Sequence, residues 1–480
     1  MIPAETRGAR RAPAVGERPG FLRAFQDLRR EHGFEPLRLE GAIPAELDGT
    51  LFRAGPALFA SFGRRYGHWF DGDGAVSAVR FRNGAARGAV RLVQSDGLVT
   101  EREAGRPLFA GYGTRPPGLR RFLGGLKNAA NTAVLAWQGR LFALWEGGLP
   151  TEVSPADLAT LGTDDLGGVV VGAFSAHPHR VAGRGATYNF GVRYGARTVI
   201  DLFELPDAGA PRRLATLPLA GATMIHDFIA TEHHLVVFAP PLRLDVLAYA
   251  AGRSYERSLR WRPSLGTEIL VIPLAAPERV VRFAVEPFFQ WHFANAFEEG
   301  GVLLVDFARY PDFATNDYAR SLMAGHPVRP RASTLHRAEI DVAARTARFE
   351  ERAAIPCEFP RVAPAREGRR HRFVYAAEVS AERIAESALQ DRIAKIDVER
   401  GAAGRLALGP GQTVSEPVFV PRPRGAGEDD GWLLTLVYDA PSHTSHVAVL
   451  DARDLAVGPI ARAWFDQHVP LTFHGAFVPG

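Results

Sequence analysis

Seven times along its length the chain runs a strand-like apolar stretch into a tight polar turn and out into a second such stretch. These hairpins begin near Ala78 (AVRFRNGAARGAVRLV), Trp137 (WQGRLFALWEGG), Thr198 (TVIDLFELPDAGAPRRLATL) and Ile269 (ILVIPLAAPERVVRF). They continue near Ala338 (AEIDVAARTARFEE), Ile393 (IAKIDVERGAAGRLAL) and Ala448 (AVLDARDLAVGPIARAW). An interval of roughly 50 to 70 residues marks units that bury a face only against their neighbours. Between the hairpins a polar residue repeatedly enters one strand that turns into another: His226 before LVVFAP, His292 before GGVLLVDF, Glu358 before RFVYAAEV, Glu416 before GWLLTLVYD. Four strands per unit and about seven units predict an all-β fold, a seven-bladed β-propeller, whose innermost strands carry these residues toward the axis.

Composition agrees. Gly 49 and Pro 35 in 480 residues mean frequent turns, and hydrophobic 46% with charged 23% is ordinary for a globular chain. Helical signals are few: GFLRAFQDLRREHG (20–33) has helical spacing, and Ser154-Pro155 reads as an N-cap followed by Pro at the first helical position. Such segments are expected in a small helical and loop dome over one face. No linker divides the chain, so residues 21–480 read as one domain behind a disordered tail, 1–20.

The net charge of +4 invites a nucleic-acid reading. The cations are almost all Arg, with only Lys127 and Lys395 besides, and they are interspersed with acids rather than gathered in a stripe. No nucleic-acid partner is expected. The single cysteine, Cys357, excludes an intramolecular disulfide and a thiolate cluster and suits a reducing compartment. No apolar run approaches the roughly 18 residues of a membrane span, and residues 1–20 lack the apolar core of a signal peptide. The expected location is cytoplasmic.

Of 15 histidines, His177 (SAHPH), His226 (MIHDF), His292 (WHFAN) and His474 (FHGAF) stand apart. Each lies beside apolar or aromatic residues at an end of an expected inner strand, so four blades can bring one imidazole each to a single axial point. The pairs His233/His234 and His443/His446 read as surface residues in turns. Convergent neutral imidazoles suit Fe, Cu, Zn or Ni, and four of them leave an octahedral ion two open positions. A buried ion with neutral ligands calls for carboxylates behind them, accepting the other ring N–H of each histidine. Glu146, Glu358 and Glu416 sit where such groups could be, although any one of them taken alone reads first as half of a rim salt bridge. Asp71-Gly72-Asp73-Gly74 lacks the remaining ligands of a calcium loop and reads as a tight turn.

On these and further stretches the sequence resembles the carotenoid cleavage oxygenase family. FRAGPALF (52–59), HWFDGDGAV (68–76), KNAANTAV (127–134), ALWEGGLP (143–150), ATMIHDF (222–228), WHFANAFEE (291–299), CEFPR (357–361), SEPVFVP (415–421) and FHGAFVP (473–479) match in order, nearly from end to end. The resemblance implies a propeller with a helical dome and one Fe(II) per chain on His177, His226, His292 and His474. Glu146, Glu358 and Glu416 would stand behind three of these, leaving His177 without a carboxylate. It also implies cleavage of a C=C bond by O2 into two carbonyl products, with no organic cofactor.

Within that family some members cleave carotenoids or apocarotenoids, others stilbenes, and one isomerises a retinoid. Stilbene-type members commonly carry Lys before the first of the three Glu; here that neighbour is Trp145, which suits a polyene tunnel and cannot donate to a phenolate as an ammonium does. An apocarotenoid is therefore the expected substrate, with stilbene cleavage, isomerisation or a non-catalytic propeller scaffold as alternatives. The stretch 240–261 mixes apolar residues with Arg where the family docks on membranes, so it reads equally as a site of peripheral contact with the inner membrane surface and as a long loop packed over the dome.

Overall fold

The computed structural model describes residues 19–122 and 125–480; the expected tail falls almost wholly on residues 1–18, outside the described part. Seven antiparallel sheets follow one another along the chain, as the seven hairpins predict. Blade 1 holds Gly49–Leu58, Asp73–Arg82 and Ala85–Leu92, and blade 2 runs from Ala133–Trp137 to Thr160–Thr163. Blades 3 to 6 begin at His179, Ile229, Phe293 and Cys357, and blade 7 is built on Gly431–Asp439 and Thr444–Asp451. In blades 3 to 6 the recognised hairpin is the outer pair of strands, and in blade 7 one further strand, Arg38–Gly41, lies outside it. In blade 2 the turn after Trp137 joins the inner pair instead, because its outer strands, Thr151–Val153 and Thr160–Thr163, are too short to show.

The middle strands read as unbroken apolar runs because each sheet is covered on both faces. Along His234–Ala239, Leu235 and Val237 enter one core with Tyr188, Phe190 and Leu202 of blade 3. Val236 and Phe238, on the opposite face, enter another with Phe293, Val305 and Phe307 of blade 5. Neither core exists without the neighbouring blade, which is why the period had to be long.

The ring is closed at two radii. The C-terminal strand Gly475–Pro479 becomes the innermost strand of blade 1, paired with Gly49–Leu58. N-terminal strands add at the rim: His32–Pro36 to blade 1 and Arg38–Gly41 to blade 7. Gly55 permits the inner closure, since a Cβ there would lie 2.6 Å from the Thr472 Cα.

Two helical expectations fail. Residues 20–33 form only a 3-10 turn, Gly20–Phe25, whose Phe21, Leu22 and Phe25 pack beside Phe59, Leu389 and Tyr438. Beyond it the backbone is extended and joins blade 1, so strand pairing outcompetes the helical pattern. Ser154-Pro155 starts a single turn, closed by Leu158 N–H to Ser154 C=O and ended by a left-handed Leu158, inside the outer hairpin of blade 2. His443 and His446 are buried rather than superficial: His443 stacks on His468, and His446 lies against Trp464. The Asp71–Gly74 stretch is a turn, with Asp71 accepting from His68 N–H and the Thr114 hydroxyl and Asp73 paired to Lys127.

Long connections from blades 1, 4 and 5 gather over one face. They carry the helices Asp96–Ala104, Val246–Ala250, Tyr255–Ser258 and Thr315–Ala324. Ser95 caps the first through Leu98 N–H, and left-handed Gly105 ends it. Beneath them Tyr112, Met224, Leu242, Phe289, Trp291 and Tyr310 form an aromatic-rich cluster.

Candidate metal centre

Each of the four singled-out histidines lies one to three residues before an innermost strand: His177 before His179–Val181, His226 before Ile229–Ala230, His292 before Phe293–Glu299, His474 before Gly475–Pro479. Four blades thus deliver four imidazoles to one point on the axis. The Nε2 atoms of His177 and His226 are 2.9 Å apart, and those of His292 and His474 are 3.1 Å apart. Ligand atoms of His177, His292 and His474 all lie within 4.8 Å of one another.

The three predicted carboxylates stand behind three of these rings. Glu146 Oε2 is 2.6 Å from His226 Nδ1, Glu358 Oε2 is 2.5 Å from His292 Nδ1, and Glu416 Oε1 is 2.9 Å from His474 Nδ1. Among the described residues no carboxylate bonds His177 directly; Asp227 Oδ1 lies 4.0 Å from its Nδ1. The tautomers follow. A carboxylate accepts a proton from Nδ1, which leaves the Nε2 of His226, His292 and His474 with a lone pair and no hydrogen. The 3.1 Å pair of His292 and His474 then sets two acceptors face to face. A cation between them removes that repulsion, so the donor set fits a metal ion.

Electrostatics keep the cluster ready. Burial lowers His177 far below the ordinary histidine range, with the other three rings adding to it. Burial likewise lowers His474 to about 4 against the pull of Glu416. Burial is the largest single influence on His292 and lowers it, but Glu358, Asp227 and Glu416 together outweigh burial and raise it. Glu416 is wholly buried yet held down at about 2 by Arg361, His474 and Arg53. Arg53, 1% exposed, donates to Glu416 C=O, Phe473 C=O and the Thr472 hydroxyl. Neither arginine stands out in the sequence, since both partners are hundreds of residues away or one blade over.

Phe359 follows Glu358 in a left-handed conformation (φ 55°), a costly state for an aromatic residue. Its N–H returns to Glu358 Oε2 at 2.7 Å and its ring stacks on His292. The bulge there turns the Glu358 carboxylate inward.

A cavity opens onto His226, His292 and His474. Its walls include Trp69, Phe70, Tyr112, Trp145, Trp291 and Phe473. Apolar walls with a few convergent polar groups are the usual form of a small-molecule site.

Known proteins share this arrangement of sequence and fold. Residues 25–479 match the family of the retinal pigment epithelial membrane protein. The apocarotenoid-15,15'-oxygenase of Synechocystis is 34% identical over 95% of this chain and 96% of its own. The lignostilbene-alpha,beta-dioxygenase isozyme III of Sphingomonas paucimobilis is 29% identical over 95% of this chain and 96% of its own. The cobalt-substituted crystal structure of the Synechocystis oxygenase superposes with a TM-score of 0.87 at 32% identity, covering 97% of this chain and 99% of that one. With its seven blades and axial histidines, the chain belongs to the retinal pigment epithelial membrane protein family, the carotenoid oxygenases whose motifs it carries.

Proposed function

We propose that the protein is a non-haem Fe(II) dioxygenase that cleaves one C=C bond of an apocarotenoid with O2. The observation that carries this is the convergence of four imidazoles, three backed by carboxylates, at the end of an aromatic cavity. The reaction balances without other reagents: one alkene and one O2 give two carbonyl products. Iron(II), when bound by His177, His226, His292 and His474, supplies the electron chemistry that lets O2 react with a closed-shell alkene.

The chain's own residues do the rest. Glu146, Glu358 and Glu416 hold each imidazole in the tautomer that presents Nε2 to the centre. Trp69, Phe70, Trp145 and Trp291 offer flat apolar surfaces to a polyene and keep bulk water from the reacting bond. Trp145 is nearly buried against Gly147, where a Cβ would meet the indole ring at 2.5 Å. An ammonium in its place would serve a phenolate; the indole favours the polyene. We assign this activity to residues 21–480 as one unit.

Peripheral membrane contact is part of the same reading, with a changed footprint. No helix among the described residues is long and apolar enough to cross a membrane. Within 240–261, Leu242 is fully buried and Leu244 half-buried, so they are not docking residues. Leu247 (83% exposed) and Val246 (59%) project from the dome, and Leu119 (79%) is exposed on the neighbouring turn. Arg115 ties the two segments together through the Arg121, Tyr249 and Arg253 carbonyls. Apolar tips among arginines suit an anionic bilayer surface.

Product mass spectrometry with an apocarotenal and a hydroxystilbene in detergent tests the assignment. We expect two carbonyl fragments, formed faster from the apocarotenal. Faster stilbene cleavage would reverse the substrate choice, and a product of unchanged mass would make the protein an isomerase.

A further inference from the structure

Three of the four axial imidazoles are oriented by a carboxylate on Nδ1, and the fourth, His177, has none in contact. The nearest acid is Asp227, and it is held with unusual care. It is 1% exposed. Its Oδ2 accepts the N–H of Phe293 on blade 5 at 2.9 Å, and its Oδ1 accepts the N–H of Phe228 at 2.8 Å. Oδ1 also takes His179 Nε2 at 3.0 Å and faces His177 Nδ1 at 4.0 Å. His179 sits two residues beyond His177, on the innermost strand of blade 3. One carboxylate therefore spans three consecutive blades, and its Oδ1 is the carboxylate atom that faces the His177 imidazole.

Three donors fix the buried carboxylate in place. A gap of 4.0 Å is beyond a direct hydrogen bond but is closed by one bridging water or by a small ring movement. The Nε2 of His177 faces the axis, so the ring hydrogen belongs on Nδ1, where it needs an acceptor. We propose that Asp227, aimed by His179, is the positioning carboxylate of His177, and that all four imidazoles have an acid behind them. The inference rests on the metal-centre reading above. Asp227 was inconspicuous in the sequence because it adjoins His226, yet it serves the histidine of the preceding blade.

The competing role for Asp227 is that of a strut between blades 4 and 5, through the Phe228 and Phe293 amides. The two roles separate in the full-length protein loaded with Co(II), using Asp227→Asn and His179→Leu. His179→Leu leaves both amide bonds to Asp227 and removes the side-chain donor that aims it, so it serves even if Asp227→Asn folds poorly. Asp227→Asn should lose Co(II) to a chelator about ten times faster than wild type, the scale of a lost group behind a ligand. His179→Leu should lose it a few times faster, in the same sense. In both, the visible Co(II) bands should shift. In a His177→Ala background, Asp227→Asn should change metal retention less than twofold, because the residue it acts through is gone. Unchanged bands and unchanged retention in His179→Leu would overturn the proposal, as would an undiminished effect of Asp227→Asn without His177. Failure of the wild type to bind Co(II) or Fe(II) at all would instead overturn the metal centre itself.

Discussion

Chain ends are normally expendable, and this one is not. Deleting residues 473–480 removes the innermost strand of blade 1, which pairs with Gly49 through Arg53 over five residue partners. It also removes Phe473, buried against Trp69 and Phe70 with ring centroids at 4.8 and 5.5 Å. Losing a buried Phe costs roughly 3–5 kcal/mol. Glu416 would in addition lose the Gly475 N–H and His474 Nδ1, and Arg53 would lose the Phe473 carbonyl. At roughly 1.5–3 kcal/mol for each bond to a buried charge, the total passes about 5 kcal/mol before strand pairing is counted. His474→Ala removes only one of those bonds, about 1.5–3 kcal/mol. Thermal melts of the metal-free proteins and iron analysis of the loaded ones distinguish the two. Both variants should be iron-free, but only the truncation should melt far below wild type. A truncated protein that holds iron and turns over substrate would refute the reasoning, and so would a His474→Ala variant as unstable as the truncation.

Glu358→Gln should keep the fold and weaken iron retention or turnover by about 10–100-fold, read by chelator competition and initial rates. Val246→Ser with Leu247→Ser should reduce sedimentation with anionic liposomes while detergent-supplied turnover holds; equal binding by both proteins would return these residues to the free surface. His446, fully buried and lowered by burial to about 3, is neutral when folded and takes a proton on unfolding. The unfolded state therefore binds more protons below pH 6.5, and stability falls as pH drops from 6.5 toward 4, by about 3 kcal/mol for this residue. His446→Phe should flatten that slope in pH-dependent melts, and an unchanged slope would show that other groups carry it.

How far the sequence reveals this molecule depends on where each residue's partners lie. The blades were legible because strands such as His234–Ala239 are apolar on both faces and end in Gly or polar turns, a pattern that local sequence displays. The four histidines were legible for a related reason: each marks the start of an innermost strand. What escaped depends on contacts between distant segments. Phe21, Leu22 and Phe25 have helical spacing, yet they pack beside Tyr438 and Leu471 from the far end of the chain. His443 looks like a turn residue until His468 stacks on it. Asp227 and Arg53 carry no local signal, since their partners lie on other blades. Trp145 and the Glu residues gained their meaning only from motifs read together.

The activity is proposed to need one iron ion, held by four axial histidines. Metal analysis beside turnover, on wild type and on His226→Ala and His292→Ala, is the decisive check. Wild type should carry about one iron per chain, as a single four-imidazole site implies, and each variant should lose iron and cleavage together. A demonstrably iron-free preparation that cleaves substrate at the full rate would contradict it.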